Sequence, residues 1–439
     1  MPGRLIRTLA VSGLAALAAA APVGAQSAGL RPAADRAGLD FGAAVTIDAL
    51  DGDDAYRQLL VDNVNMVSTV AEVDFAVVQP EPGVYDFAPA DALVDFAADN
   101  AMSVRGHGLI SPEGLPDWIV AGSWTADTLT TVLRDHVTEV VGRYAERNPG
   151  VVTQWDVVDE AFLPDGTPRD SIWRRVIGDG FIAIAFEAAR AADPDALLLY
   201  DDFYDDLSVT QDAVESGLAI VPGATAERSD CSMVPKCVGV QSSIATLVGD
   251  GVPIDGIGFQ AHLLSPDPVD FATFSGWVAD LGLEWAITEF DVPVPVTEIA
   301  NPDTLAFQAD AYAGSLSSCL DADSCDTFVV WGVTDRLPPT LDTTGGAFGG
   351  ALWFDALDAP KPAAEAMADV LGVTEPEPAT TEVAPTEPTS PPTVTSAPPE
   401  ESSDDSNAIV ALAVAAGALA VVGAVIVLAR RKGSSEKNP

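Results

Sequence analysis

Eight short β-branched or aliphatic runs, each followed by a longer amphipathic stretch, constrain this chain more than any other feature. The runs lie at residues 41–45, 65–68, 103–109, 152–158, 197–201, 256–260, 284–288 and 327–331. Strands alternating with helices read as repeated β-α units around a parallel sheet, and eight such units close a barrel. Helix-like segments at 89–100, 126–147, 173–192 and 303–318 carry apolar residues at three- and four-residue spacing. The predicted fold is therefore α/β, a (β/α)8 TIM barrel. With 439 residues, 48% of them hydrophobic, the chain can bury such a core and still carry tails.

The tails have their own signatures. Residues 1–25 hold Arg4 and Arg7, an apolar run, and the small-residue pattern Val23-Gly24-Ala25, which reads as a secretory signal peptide. The barrel is expected over 26–373. Residues 374–407 are rich in Pro, Thr, Ser and Glu, without an aromatic or basic residue, the composition of a solvated linker. Residues 408–429 are apolar and uncharged, long enough for one membrane-spanning helix, and Arg430-Arg431-Lys432 opens a basic tail, 430–439, expected in the cytoplasm. The chain is thus expected to be exported and held in the cell membrane with its barrel outside the cell, as a monomer.

Sixty-six acidic against 21 basic side chains give a formal net charge of −45, with only four lysines. Binding phosphates needs clustered Lys and Arg, so nucleic acid is excluded as an electrostatic partner. The four cysteines form two local pairs, Cys231 with Cys237 and Cys319 with Cys325. In an exported protein this spacing favours two short-loop disulfides; a four-thiolate zinc site is the competing reading, disfavoured because neither pair is C-x-x-C.

In a (β/α)8 barrel the chemistry sits at the carboxyl ends of the strands. The polar residues there are His107, Asp159 and Glu160, Asp201 and Asp202, Gln260 and His262, Glu289 and Asp291, and Trp331 with Asp335. Glu160 and Glu289 stand at the ends of the fourth and seventh runs, which face each other across a barrel mouth. Two carboxyl groups flanking a cleft are what glycoside cleavage needs: one protonates the leaving oxygen and the other attacks or stabilises the anomeric carbon.

The local sequence around both glutamates sharpens this. Trp155-Asp156-Val157-Val158-Asp159-Glu160-Ala161-Phe162 resembles the W-D-V-V-N-E-A-F stretch of glycoside hydrolase family 10, the xylanase family, and Ile287-Thr288-Glu289-Phe290-Asp291 is similar to its I-T-E-L-D. Arg105-Gly106-His107, Leu115-Pro116-Asp117-Trp118, the run from Ile254 to Gln260 with His262, Val330-Trp331-Gly332-Val333-Thr334-Asp335 and Pro360-Lys361-Pro362-Ala363 match in the same order. The resemblance implies a retaining endo-1,4-β-xylanase type, with Glu289 as nucleophile and Glu160 as acid/base. It implies further that His262 bonds near Glu289 and is oriented by Asp291, that Asp159, Gln260 and His107 meet sugar hydroxyls, that Trp331 floors a sugar ring, and that Asp202 supports the site. No metal or organic cofactor is implied; the partner is a polysaccharide or oligosaccharide.

Departures from the family pattern fall on the glycone side. Val70, Ala71 and Asp74 stand where the family has Glu, Asn and Lys, the middle of its R-G-H…L-P-D-W stretch reads Gly108 to Gly114 without Trp, His or Gln, and Arg336-Leu337-Pro338-Pro339 replaces K-Y-S-W. Asp159 replaces an Asn; an anion there would accept but not donate, and would raise the Glu160 pKa. Two functions are consistent with these residues: hydrolysis of xylan or a related β-glycan, or a weakened barrel that binds surface polysaccharide.

Overall fold

In the computed structural model, residues 29–204, 230–263, 270–338 and 348–373 are described. Eight parallel strands close on themselves: β1 (Asp40–Ala44), β2 (Met66–Ser68), β3 (Ser103–Gly106), β4 (Val152–Asp159), β5 (Leu197–Phe203), β6 (Gly256–His262), β7 (Glu284–Asp291) and β8 (Cys325–Val330). β1 pairs with β8 through Asp40 to Thr327 and Phe41 to Phe328, which completes the barrel. A two-stranded antiparallel ribbon, Val294–Pro295 with Phe348–Gly349, lies in the connections after β7 and β8.

The helices pack their apolar stripes onto the outside of this barrel. Helix Ala126–Arg147 starts at a capping box in which Thr125 and Thr128 satisfy each other's backbone N–H, and it buries Leu129, Leu133, Val137, Val140, Val141 and Tyr144 at three- and four-residue intervals. The helix expected over 173–192 is two helices, Ile172–Ile177 and Phe181–Ala192. Gly178, at φ +95°, ends the first in a conformation that only glycine adopts without strain.

Strands β5, β6 and β7 extend past the expected runs, so Asp202, His262, Glu289 and Asp291 sit inside the ladder with Gln260. β3 is shorter than expected, and His107 follows it. The β4–β5, β6–β7 and β7–β8 registers shift beside Asp156–Val158, Phe259–Gln260 and Ile287–Phe290. Such bulges re-aim side chains and favour positions next to active sites.

Both cysteine pairs form disulfides. Cys319–Cys325 ties the end of helix Pro302–Leu320 to the start of β8, and Cys231–Cys237 ties a short turn to the first turn of helix Pro235–Gly249. Among the described residues no helix is long and apolar enough to cross a membrane. The expected signal peptide, linker, membrane helix and basic tail lie outside the described residues, as do residues 26–28 of the expected barrel.

Candidate active site

Every residue expected at the site lies at the carboxyl end of the barrel. β6 and β7 set Gln260 beside Glu289 and His262 beside Asp291 in register, and β4 and β5 set Asp159 beside Asp201. Glu160 is the first residue past β4, with φ +49°, a left-handed conformation costing a non-glycine residue about 1–2 kcal/mol. Three contacts hold it there: its N–H donates to the Asp201 carbonyl (3.0 Å), and its own carbonyl and carboxylate accept from Arg169 Nε (2.9 Å) and Nη2 (3.3 Å).

Glu289 lies between two imidazoles. His262 Nε2 is 3.0 Å from Glu289 Oε2 while its Nδ1 is 3.0 Å from Asp291 Oδ1. His107 Nε2 is 3.4 Å from Glu289 Oε1, and its Nδ1 is 3.0 Å from Asp156 Oδ2. Burial opposes charge on both rings, but Asp291 and Glu289 around His262, and Glu289 and Asp156 around His107, outweigh it and hold both pKa values well above the ordinary histidine range. His262 therefore donates to Glu289, and the His107 ring sets a second positive charge 3.4 Å from it. The third histidine, His136, is a core residue stacked on Phe75, and burial pushes its pKa down to about 3.

Glu160 has the opposite character. Burial first, then the carboxylates of Asp202 and Glu289, raise its pKa to about 7, against lowering by Lys236 and Arg169. The sequence assigned this effect to Asp159. In the structure Asp159 is itself the group pushed well above the carboxylate range, by burial first and by Glu160 next. Its Oδ1 accepts from Gln260 Nε2 at 3.0 Å, and Gln260 reaches Asp201 Oδ2 at 3.4 Å with the same nitrogen. The Gln260 amide nitrogen thus serves two protein carboxyls, and the two His107 nitrogens lie against Asp156 and Glu289. Trp331 meets the edges of His107 (5.3 Å between centroids) and His262 (6.3 Å).

Four contributors were not singled out from sequence. Arg105, fully buried inside the barrel, grips both Asp156 oxygens. Thr288 donates to Asp201 at 2.8 Å. Arg169 clamps Glu160, and Lys236 pairs with Asp202 Oδ1 at 2.7 Å. His107, Asp156 and Asp201 converge closely enough to ligate a cation, but Arg105, His107, Thr288 and Gln260 already occupy their oxygens.

On the glycone side, Glu72 is structural: it accepts from the N–H groups of Ile47 (2.8 Å), Val70 (2.9 Å) and Ala71 (3.1 Å). Asp74 presents a half-buried carboxyl against Gly108 and Gly114, where a Cβ on Gly114 would meet it, and burial raises its pKa to about 7. Arg336 is spent on loop bridges to Asp53 (2.6 Å) and Asp358 (2.8 Å). Pro339 lies outside the described residues.

The sequence model of glycosyl hydrolase family 10 matches residues 29–219 and 229–370. Endo-1,4-beta-xylanase A of Fusarium oxysporum f. sp. lycopersici is 34% identical over 344 residues, covering 75% of this chain and 94% of that protein. Endo-1,4-beta-xylanase B of Thermotoga neapolitana is 31% identical over 353 residues, covering 79% and 93%. The crystal structure of xylanase 10B from Thermotoga petrophila with xylobiose matches at a TM-score of 0.68 and 32% identity, covering 80% of this chain and 98% of that one. With the barrel, the two glutamates and their partners in place, these likenesses show that the chain belongs to glycosyl hydrolase family 10 and is a glycoside hydrolase.

Proposed function

We propose that this hydrolase is an endo-1,4-β-xylanase that cleaves xylan or a related β-glycan with retention of configuration, outside the cell and tethered to its membrane. The observation that carries the reading is the opposed environment of two neighbouring carboxyl groups. Glu289 accepts from the His262 imidazolium with the His107 ring beside it, whereas Glu160 is half-buried among carboxylates and keeps its proton to about pH 7. Pairs of carboxyls pushed apart in this way divide into nucleophile and acid.

In the first step Glu289 attacks the anomeric carbon while Glu160 gives its proton to the departing oxygen. The glycosyl ester removes the Glu289 charge, one of the causes that raise the Glu160 pKa. Glu160 then ionises more readily and takes a proton from the water that cleaves the ester. Asp159, held protonated, has an O–H to give to the sugar's 2-hydroxyl, the donor role that an amide would fill. His262 is positioned by Asp291, and Trp331 supplies apolar surface for a ring. Export and anchoring rest on the residues 1–25 and 408–439 patterns.

The test is reducing-sugar release from xylan and a panel of β-glycans by the parent and by Glu289→Ala, with the product anomer read by proton NMR. Release from xylan as the β-anomer, lost in the variant, is expected. Release only from another glycan moves the substrate, an α-anomer overturns retention, and no release by folded protein leaves the polysaccharide-binding reading. Recovery of the full chain in the soluble fraction would overturn anchoring.

A further inference from the structure

Helix Pro235–Gly249 brings a lysine into the site from a direction that no strand supplies. Lys236 is fully buried, its Nζ is 2.7 Å from Asp202 Oδ1, and it lies 3.1 Å from the centroid of the Phe203 ring. A lysine with no exposed surface needs a fixed counter-charge, and Asp202, equally buried, is that charge. Asp202 in turn accepts from the Tyr200 hydroxyl, whose oxygen accepts from the N–H of Ala161, the residue after Glu160, at 3.2 Å. Lys236, Asp202, Tyr200 and Ala161 form one chain that ends at the peptide carrying the acid/base.

The turn that delivers Lys236 is fastened twice. Cys237, next in sequence, is bonded to Cys231. The same helical turn also lies directly on the loop after β4: a Cβ on Gly166 would strike the Pro235 carbonyl, and one on Gly239 would strike the Gly166 carbonyl. The charged and titratable groups facing this region are Asp159 from β4, Glu289 from β7, Tyr200, Asp201 and Asp202 from β5, Tyr204 just after it, Arg169 from the loop behind Glu160, and Lys236 itself.

We infer that Lys236 is a positioning residue: it holds Asp202 as a fixed carboxylate beside Glu160, and the Cys231–Cys237 bond holds Lys236. The inference rests on Glu160 being the acid/base, and it predicts a shift of unexpected sign. Removing a cation normally makes a neighbouring carboxyl harder to ionise. Burial already raises the Asp202 pKa, and Lys236 opposes that rise more than the Tyr200 hydroxyl and the Phe203 N–H do, so its loss lets Asp202 take up a proton. Asp202 raises the Glu160 pKa more than Lys236 lowers it, and the net result is a lower Glu160 pKa.

The experiment is a carbon-13 NMR titration of the Glu160 carboxyl in the full chain, assigned with Glu160→Gln, so that the reading does not depend on turnover of any substrate. Lys236→Met, Asp202→Asn and the double variant are each expected to move the titration to lower pH, by about half a unit to one unit. Cys231→Ser with Cys237→Ser should move it the same way by less. The double variant replaces a buried ion pair by neutral groups of similar size, a change that folded proteins tolerate, so it reads the effect even where Lys236→Met fails to fold. A rise in the Glu160 pKa in the Lys236 variants, or an unchanged value, overturns the inference. An unchanged value in the cysteine variant overturns the disulfide's part. These variants leave the xylanase reading to its own assay, so the two fail separately.

Discussion

Replacing Asp159 by Asn tests how the site distributes its protons. Asp159 is 6% exposed, has no cationic hydrogen-bond partner, and faces Glu160, Asp201 and Glu289. Glu160 has a side chain 25% exposed and an Arg169 contact at 3.3 Å. His107 opposes the rise of the Asp159 pKa, but burial and Glu160 outweigh it; a proton shared between such neighbours settles on the deeper group, so Asp159 stays neutral while Glu160 titrates near pH 7. Asn and a neutral aspartic acid have almost the same shape and charge. The basic limb of kcat/KM, measured on an aryl glycoside with a poor leaving group, should therefore fall through about pH 7 in the parent and move by less than about a third of a unit in Asp159→Asn. Were Asp159 ionised there, removing a carboxylate adjacent to Glu160 would lower that limb by about 1–3 units, or about 1.4 kcal/mol for each. A fall of a unit or more would refute the proton assignment.

Two further outcomes concern stability. Asp40, at the barrel base, has its pKa raised to about 6 by burial and then by Asp326. A carboxyl raised on folding loses stability as pH climbs from about 4 to 6, so Asp40→Asn should raise the unfolding free energy at pH 7 by at most about 3 kcal/mol and leave it unchanged at pH 3, as denaturant unfolding at the two pH values would read. Cys319→Ser with Cys325→Ser opens a short loop between a helix end and β8 and should cost about 2 kcal/mol in denaturant unfolding under non-reducing conditions.

The barrel was legible because apolar strand runs and amphipathic helices alternate without interruption. The ends of β5, β6 and β7 were less so, since the ladder continues through Asp201-Asp202-Phe203, Gln260 to His262 and Thr288 to Asp291, where the apolar signal stops. The split at Gly178 was missed for a related reason: apolar spacing persists on both sides of it, and the break is a matter of one backbone angle. Glu160, Glu289 and their histidines could be found because they terminate strands. Arg105 and Asp156 could not be assigned roles, because a charged residue inside a strand run gives no sign of facing the barrel interior. Lys236 sits in a stretch with no strand at all, and only the fold turns it inward. Sequence adjacency revealed the repulsion between Asp159 and Glu160 but not which of them lies deeper.

The interior polar residues carry the last prediction. Gln154 joins Asp40 (3.2 Å) and Thr327 (2.8 Å) near the base of the barrel to Arg105 (3.1 Å). Arg105 fixes Asp156, Asp156 holds His107 Nδ1, and His107 Nε2 reaches Glu289. Arg105→Met would leave the buried Asp156 carboxylate without its main partner, a loss of about 3–5 kcal/mol for one member of a buried pair. Asp156 would then recover charge balance by binding a proton or by drawing His107 towards itself, and either change weakens the positive charge that His107 sets beside Glu289. Arg105→Met with Asp156→Asn removes both charges, so it should recover most of the stability while leaving kcat/KM low, because a neutral Asn no longer sustains the His107 imidazolium. Denaturant unfolding and kcat/KM measured on all four proteins separate the two effects. If the double variant regains activity together with stability, the column supports the barrel alone, and His107 acts on Glu289 without it.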